Sequence, residues 1–305
     1  MSTLTAFRAA TGRFLPRMVP HLHKTSSRCV IPISSVSCQH RLMTNGPNFI
    51  RVEKDDTHKG VSVIKMDNKP VNSLSTPVLM EMANALDKLE SDSSCRGVIL
   101  TSANPGIFSA GLDIFEMYQK SPDQTNHFWK CLQEVWLKLY GSSLVTIAAI
   151  NGHSPAGGCL MAMSCDYRVM SSGKFTIGLN ETLLGIVAPF WFSDTMLNTI
   201  GHRQTEKALQ LGSLFKVDQA LDIGLIDQVA EPDQIMEAAK TEMTKWLKIP
   251  DHARILTKQM LRGPTLEKLQ TKRDEDVAFF TNFIQKEYIQ KSLGMYLESL
   301  KKRQK

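Results

Sequence analysis

A strand, a glycine-rich turn and a helix follow one another between residues 144 and 164, and this succession constrains the fold more than any other stretch. Residues 144–150 are apolar and partly β-branched, which is typical of a buried strand, and residues 159–164 are compatible with a buried helix. Gly157 and Gly158 stand where that helix would begin. Amides at a helix start have no intrahelical partner, so glycines there let a ligand oxygen reach the backbone directly. The turn therefore suits a phosphate or a developing oxyanion, and a tight turn that needs glycine only for packing is the alternative.

Two further segments favour an active site over a packing turn. Residues 98–102 predict a second strand, and residues 104–113 form a second glycine loop that would aim the amide of Leu112 at the same point. Residues 179–185 then hold one carboxylate, Glu181, among apolar neighbours. Together the three segments predict two backbone amides and one acid at a common site.

Three runs of residues resemble the crotonase (enoyl-CoA hydratase/isomerase) superfamily. They are FSAGLD at 108–113, NGHSPAGGCL at 151–160 and CDYR at 165–168. A fourth run, LNETLLGIVAPFW at 179–191, is similar to the isomerase branch, and the resemblance extends over roughly residues 49–300. It implies an α/β fold with a crotonase-like ββα superhelix core.

The resemblance also implies how the chain is divided and assembled. We expect a mitochondrial transit peptide over residues 1–43, the superhelix core over 44–245 and a C-terminal helical trimerisation region over 246–305. Helices of this kind in the superfamily fold back over the active site and build a homotrimer. The strand and helix alternation in residues 49–150 independently predicts an α/β fold.

Enolate chemistry explains why two amides and one acid would be needed. A thioester carbonyl acidifies the adjacent carbon, and removal of that proton gathers negative charge on the carbonyl oxygen. Amides from Leu112 and Gly157 would hold this oxyanion, and Glu181 would be the base. Apolar neighbours are expected to raise the pKa of that carboxyl group. The alternative for Glu181 is a first-turn acid that interacts with a helix dipole behind an N-cap at Asn180.

One departure from the superfamily pattern selects the reaction. Hydratases of the superfamily use two glutamates, and the position of the first is Leu160 in this sequence. Adding water needs two proton-handling groups, whereas moving a double bond needs one. We therefore expect an isomerase of β-oxidation that converts cis- or trans-3-enoyl-CoA to trans-2-enoyl-CoA with Glu181 as its single acid/base. Another crotonase activity, hydration or thioester hydrolysis, and a non-enzymatic RNA-binding role are the alternatives.

The resemblance assigns substrate contacts to one loop and two further positions. Coenzyme A would be part of the substrate, with no metal and no separate cofactor. Asp113 is expected to be a structural or CoA-side residue and not a second catalyst. The expected substrate-binding residues are Ala110, Gly111, Leu112, Asp113, Ile114, Gly157 and Asn180.

Charge is distributed unevenly along the 305 residues. Residues 1–52 carry seven Arg and Lys and no Asp or Glu, which leaves 29 basic and 30 acidic residues in the remainder, a net charge of −1. A basic, Ser- and Thr-containing, acid-free N-terminus is typical of an organellar transit peptide and predicts the mitochondrial matrix; a basic N-terminus that stays attached is the alternative. The near-neutral body gives no case for nucleic acid as a partner. No apolar run reaches the ~18 residues of a membrane-spanning helix.

Periodicity predicts the remaining elements. Residues 49–53 and 61–66 are expected to pair as strands, and a helix with Ser75 as its capping residue should follow. Residues 126–140 predict an amphipathic helix whose aromatic stripe belongs to the core or, alternatively, lines an acyl pocket. Residues after 232 are expected to be helical, with breaks at Pro250 and at Gly263-Pro264. The six cysteines show no ligand spacing and are expected to be small apolar residues of a reducing compartment.

Overall fold

A computed structural model describes residues 48–303. In this part of the chain, long strands are followed by short strands, and helices lie between them. The strands are β1 (Ile50–Lys54), β2 (Val61–Met66), β3 (Ser73–Leu74), β4 (Gly97–Ser102), β5 (Gly106–Ile107), β6 (Gly111–Leu112), β7 (Val145–Ile150), β8 (Gly152–Pro155), β9 (Tyr167–Ser171), β10 (Thr176–Gly178), β11 (Phe215–Lys216) and β12 (Gln228–Ala230). The helices are α1 (Thr76–Ser91), α2 (Pro122–Tyr140), α3 (Gly157–Ser164), α4 (Phe190–Ile200), α5 (His202–Leu211), α6 (Val217–Asp222), α7 (Ile235–Leu247), α8 (Asp251–Thr271), α9 (Arg273–Ile284) and α10 (Glu287–Arg303). Two 3₁₀ helices cover Ile114–Glu116 and Glu181–Leu184.

The long strands form one sheet in the order β1-β2-β4-β7-β9-β12. β1 and β2 are antiparallel, as predicted, and the other neighbours are parallel. The short strands that follow β4, β7 and β9 form a second sheet together with β11, in the order β11-β10-β8-β5. This repeated passage from a long strand to a short strand confirms the predicted α/β class with a ββα superhelix core. It also brings the loops that follow successive strands to one end of the sheet.

The aromatic stripe of α2 belongs to the core, which confirms the first of its two interpretations. Trp129 and Trp136 are fully buried and lie against Trp191 of α4. The helix begins at residue 122, earlier than predicted, because Ser121 and Gln124 form a capping box. At the start of α1, Ser75 occupies the predicted N-cap position, although its side chain makes no capping hydrogen bond.

Strand β8 is one of the short strands that the sequence did not predict. Residues 151–158 were expected to form only a turn, but Gly152–Pro155 pairs with β5 on one side and β10 on the other. A Cβ on Gly152 would lie 2.0 Å from the Gly106 carbonyl carbon, so only glycine permits this approach. His153, expected in a loop, therefore lies in a strand, where its Nδ1 is 3.1 Å from the Thr176 hydroxyl.

The C-terminal third is helical, with one difference from expectation. The predicted break at Pro250 separates α7 from α8, but the predicted break at Gly263-Pro264 is wrong because α8 runs through both residues. Proline removes one helical hydrogen bond, to the carbonyl of Met260. That residue is 79% exposed, so water can satisfy its carbonyl.

Further predictions concern the domain boundaries, the cysteines and membrane-spanning helices. The predicted boundary at 245/246 falls in the last turn of α7 and stays a prediction. The predicted transit peptide and two of the cysteines lie outside the described residues. The other four cysteines, Cys95, Cys131, Cys159 and Cys165, are buried as expected. No helix within residues 48–303 has the length and apolarity needed to cross a bilayer.

Candidate active site

The two predicted glycine loops meet with almost no space between their backbones. Residues 111–112 pair in parallel with 73–74, which fixes the loop at 104–113 against the start of α1. A Cβ on Gly111 would lie 3.1 Å from the Gly157 amide nitrogen, and one on Gly157 would lie 3.2 Å from the Leu112 amide nitrogen. The predicted amides of Leu112 and Gly157 are therefore close neighbours. Glycine at both positions is what allows this approach.

The start of α3 has an unusual backbone conformation. Ala156, its N-cap residue, has φ +48° and ψ −122°, which is strained for a residue with a side chain. Its amide donates to the Gly178 carbonyl at 2.8 Å, at the end of β10. This bond links Ala156, the residue before Gly157, to β10, the strand that precedes Glu181. Nothing in the sequence indicated it, since alanine is not a residue that usually adopts positive φ.

Glu181 lies in the interior beside α3. Its side chain is 4% exposed, and neither carboxyl oxygen has a hydrogen-bond partner within the described residues. Burial raises the pKa of Glu181 to about 7, with its own main-chain amide as a smaller opposing influence. That amide does not meet the geometry of a hydrogen bond to the carboxyl group. The negative charge of Glu181 also contributes to raising the pKa of Cys159 in α3, after the larger effect of burial.

The alternative role of Glu181, as a helix-capping acid, has limited support. Glu181 does begin a 3₁₀ helix with Asn180 at its N-cap position, but the Asn180 side chain makes no capping bond. The Asn180 Oδ1 atom is also buried and has no hydrogen-bond partner in the described part of the chain. Two consecutive residues, Asn180 and Glu181, thus contribute three buried oxygens that can accept a hydrogen bond or, in the carboxyl group, a proton. Such a group of unsatisfied oxygens is uncommon in a folded interior.

The other nearby acids already have structural partners. Asp113 Oδ1 accepts the Phe115 amide at 2.9 Å and caps the 3₁₀ helix Ile114–Glu116. Burial is the main reason that the pKa of Asp113 is raised. Glu116 Oε1 accepts the Thr76 amide at 2.8 Å. Of Asp113, Glu116 and Glu181, only Glu181 is buried with no hydrogen-bond partner among the residues that the structure describes.

A match over most of the chain identifies the family. Residues 56–305 match the family model described as enoyl-CoA hydratase/isomerase. The chain belongs to the enoyl-CoA hydratase/isomerase family. The crotonase-type resemblance that the sequence predicted is confirmed.

Three similar proteins show the branch of the family. Enoyl-CoA delta isomerase 1, mitochondrial, of Mus musculus is 58% identical over 245 residues, which cover 80% of this chain and 85% of the relative. The Homo sapiens protein of the same name is 54% identical over 257 residues, which cover 84% of this chain and 85% of the relative. The crystal structure of human mitochondrial delta3-delta2-enoyl-CoA isomerase has a TM-score of 0.83 and 53% identity, and the match covers 85% of this chain and all of the crystallised one (100%).

The remaining residues of the predicted binding loop are placed around the two amides. Ala110 is exposed, and its amide donates to the Val71 carbonyl at 2.9 Å, so the loop is fixed to the segment before β3. Ile114 is half-buried and packs against the core. Leu160, at the position where family hydratases have a glutamate, is fully buried in α3.

Helix α10 lies against the candidate active site. Gln290 Oε1 accepts the Gln119 amide at 2.8 Å, and its Nε2 donates to the Met117 carbonyl at 3.1 Å, just after the binding loop. On the other side, Ser292 lies against Gly185, which ends the 3₁₀ helix of Glu181. One helix therefore contacts both segments of the site. The family resemblance implied that this region folds back over the site, but it did not point to Gln290, because a polar residue on a helix carries no local signal.

No group of three or more His, Cys, Asp or Glu side chains within residues 48–303 is arranged to hold a metal ion.

Proposed function

We propose that this chain converts cis- or trans-3-enoyl-CoA into trans-2-enoyl-CoA in the β-oxidation of unsaturated fatty acids. It is an isomerase of the enoyl-CoA hydratase/isomerase family, and its similarity to enoyl-CoA delta isomerase 1 of two mammals supports this activity. The mechanism rests on the Glu181 carboxyl group, which is buried and has no hydrogen-bond partner among the described residues; burial raises its pKa to about 7.

The reaction needs one base and one site for negative charge. The ionised carboxylate of Glu181 takes a proton from C2 of the 3-enoyl thioester, and the C–H electrons move onto the carbonyl oxygen as a dienolate forms. The amides of Leu112 and Gly157 donate to that oxygen, and each such donor is typically worth about 3 kcal/mol in the transition state. Glu181 then returns the proton at C4, the C2–C3 double bond forms and the carbonyl is restored. Proton and electrons balance, so no water or oxidant is consumed.

A pKa of about 7 suits a group that must both accept and return a proton. A carboxyl group at its ordinary pKa would be a weak base, whereas one near the working pH transfers protons efficiently in both directions. Burial supplies the shift, and the absence of hydrogen-bond partners among the described residues leaves the carboxyl oxygens to the substrate. Such a group contributes roughly 10²- to 10⁴-fold to a rate.

The composition of the site favours isomerisation over hydration. A hydratase needs a second acid or base, and the position where family hydratases have it is the buried Leu160. Asp113 and Glu116 each accept a backbone amide. An assay of products from 3-enoyl-CoA and 2-enoyl-CoA separates isomerisation from hydration and thioester hydrolysis.

The decisive experiment compares two carboxyl groups of the same site. Glu181→Gln keeps size and polarity but cannot accept a proton, and we expect kcat for 3-enoyl-CoA to fall at least about 100-fold. Glu116→Gln, the matched control, keeps an acceptor for the Thr76 amide and should stay within tenfold of wild type. Activity of Glu181→Gln within tenfold of wild type would defeat the proposed mechanism.

Assembly, partners and location complete the proposal. The substrate is an acyl-CoA thioester, and the shuttle uses no metal or separate cofactor because coenzyme A belongs to the substrate. Exposed apolar side chains on α8, Met260 (79%) and Leu261 (74%), support association into a homotrimer. Light scattering on the processed protein should give three subunit masses, and a single mass would contradict this assembly.

The near-neutral body argues against nucleic-acid binding, which a salt-dependent gel shift would reveal. The location is mitochondrial, in agreement with the names of the relatives.

A further inference from the structure

Helix α3 begins at the oxyanion site and ends at an arginine that the proposed shuttle leaves unused. Arg262 of α8 donates to the carbonyl of Ser164, the last residue of α3, at 3.0 Å and to that of Cys165 at 3.2 Å. It also donates to the carbonyl of Tyr140, the last residue of α2, at 3.0 Å. One guanidinium therefore binds the carbonyl ends of two helices, where a positive charge is most favourable.

The charges around Arg262 do not cancel. Asp166 lies 3.1 Å from Arg262 and 2.6 Å from Lys258, so two cations share one carboxylate. Burial of Asp166 favours its protonated form, but Lys258 and Arg262 outweigh this effect and lower its pKa. A third cation, Arg168, contacts the Cys165 carbonyl but has its own partner in Asp227 at 2.8 Å. Burial lowers the pKa of Lys258, and Asp166 at 2.6 Å opposes this effect. With Lys258 protonated, the group of Lys258, Arg262 and Asp166 carries one excess positive charge beside the C-terminal end of α3.

This excess charge lies where screening is weak. The side chains of Asp166, Lys258 and Arg262 are 3%, 8% and 16% exposed, and every residue of α3 is buried. The eight residues of α3 span about 12 Å. A unit charge at that distance, at an effective dielectric constant of about 20, corresponds to about a tenfold effect on a rate.

We propose that Arg262 is a positioning residue for the oxyanion site, acting through α3. Its charge neutralises the carbonyl end of the helix, so that the amide end at Gly157 presents a more positive potential to the enolate oxygen. The inference rests on the proposed function, because it requires a thioester carbonyl at the Gly157 amide. The charge, and not the forked shape of the guanidinium, is what acts on the site.

The chain offers a matched control in Arg273. Its side chain is 16% exposed, as is that of Arg262, and it also joins a C-terminal helix to α2. It donates to Gln133 at 3.2 Å, to the Lys130 carbonyl at 3.2 Å and to Glu134 at 2.7 Å, all of them on α2. Its removal should affect stability as much as removal of Arg262, without touching α3.

The experiment compares Arg262→Gln, Arg262→Lys and Arg273→Gln in the full-length protein. Measurements are kcat and KM with 3-enoyl-CoA, and the infrared carbonyl frequency of bound octanoyl-CoA labelled with carbon-13 at the thioester. We expect Arg262→Gln to lower kcat about tenfold with KM within twofold, and to move the carbonyl band toward its position in water. Arg262→Lys keeps the charge and should recover most of both. Arg273→Gln should lose stability with kcat and the band unchanged.

Three outcomes would overturn the proposal: an unchanged band in Arg262→Gln, equal effects of Gln and Lys, or an equal band displacement in Arg273→Gln. If Arg262→Gln does not fold, Arg262→Lys decides alone. A band at the wild-type position then supports the role of charge, and a displaced band contradicts it. Wild-type turnover in the same assay, and its loss in Glu181→Gln, test the proposed function independently of these results.

Discussion

Replacing the proposed base should make the protein more stable, and the gain should depend on pH. Glu181 is buried, its oxygens have no hydrogen-bond partner among the described residues, and burial raises its pKa to about 7. Ionising such a group in the folded state costs free energy that the unfolded chain does not incur. Glutamine in its place is neutral at every pH and is not subject to this cost. Glu181→Gln therefore removes a destabilising charge along with the activity.

The size of the effect follows from the pKa of Glu181 in the two states. A rise from the ordinary 4.5 to about 7 corresponds to about 3 kcal/mol, at 1.36 kcal/mol for each pH unit. Between those two values the folded state binds more protons than the unfolded state, so the contribution of Glu181 to stability falls as pH rises. The penalty is absent below about 4.5 and complete above about 7. The Gln variant should therefore gain nothing at the acidic end and about 3 kcal/mol at the alkaline end.

Urea unfolding followed by circular dichroism measures this difference directly. Wild type and Glu181→Gln are compared without substrate at several pH values between about 4 and 8, and at one protein concentration because association contributes to stability. Glu298→Gln on the exposed face of α10 is the control, and its effect should stay within about 0.5 kcal/mol at every pH. The reasoning fails if Glu181→Gln is no more stable than wild type at the alkaline end, or if its gain does not change with pH.

Three further outcomes follow from the site. The value of kcat/KM for 3-enoyl-CoA should rise about tenfold for each pH unit below the pKa of Glu181, about 7, and level off above it, which a pH–rate profile measures. Gly111 has φ +89°, and Gly111→Ala would place a Cβ 2.9 Å from the Cβ of Ala156. This substitution should therefore lower kcat about 100-fold while the circular dichroism spectrum stays native. Leu160→Glu buries a second carboxyl group, which should lower the free energy of unfolding by about 3 kcal/mol or more and give 3-hydroxyacyl-CoA among the products separated by chromatography.

The parts of this fold that could be predicted are those with a local signal. The run at 145–150 is apolar and β-branched, and Gly157 and Gly158 mark the start of the next helix, so the strand and helix follow from short-range preference alone. Glu181 was identifiable because a single acid stands among apolar residues, although its spacing alone left a capping role equally plausible. Resemblance to the crotonase superfamily was needed to separate the two roles.

The parts that could not be predicted depend on residues far apart in the chain. Strand β8 exists because β5 and β10 lie on either side of it, and its own sequence, GHSP, has no strand preference. Pro264 does not break α8, whose buried Lys258 and Leu269 lie on either side of the proline. Arg262 contacts α2 and α3 across more than ninety residues of sequence. Such contacts become visible only when the tertiary structure is known.

Main-chain pairing between short strands fixes the position of the two features of this site that destabilise the fold. Ionised Glu181 and the positive φ of Ala156 each cost the folded state free energy, of the order of 1–3 kcal/mol for the backbone strain. Ala156 directly follows β8, Glu181 lies three residues after the end of β10, and these two strands are paired with each other. The Ala156 amide adds a bond to the Gly178 carbonyl, so neither segment can relax without breaking the other's pairing. A carboxyl group that is buried with no partner among residues 48–303 and a strained turn can therefore coexist, because the second sheet fixes the backbone that leads into each of them.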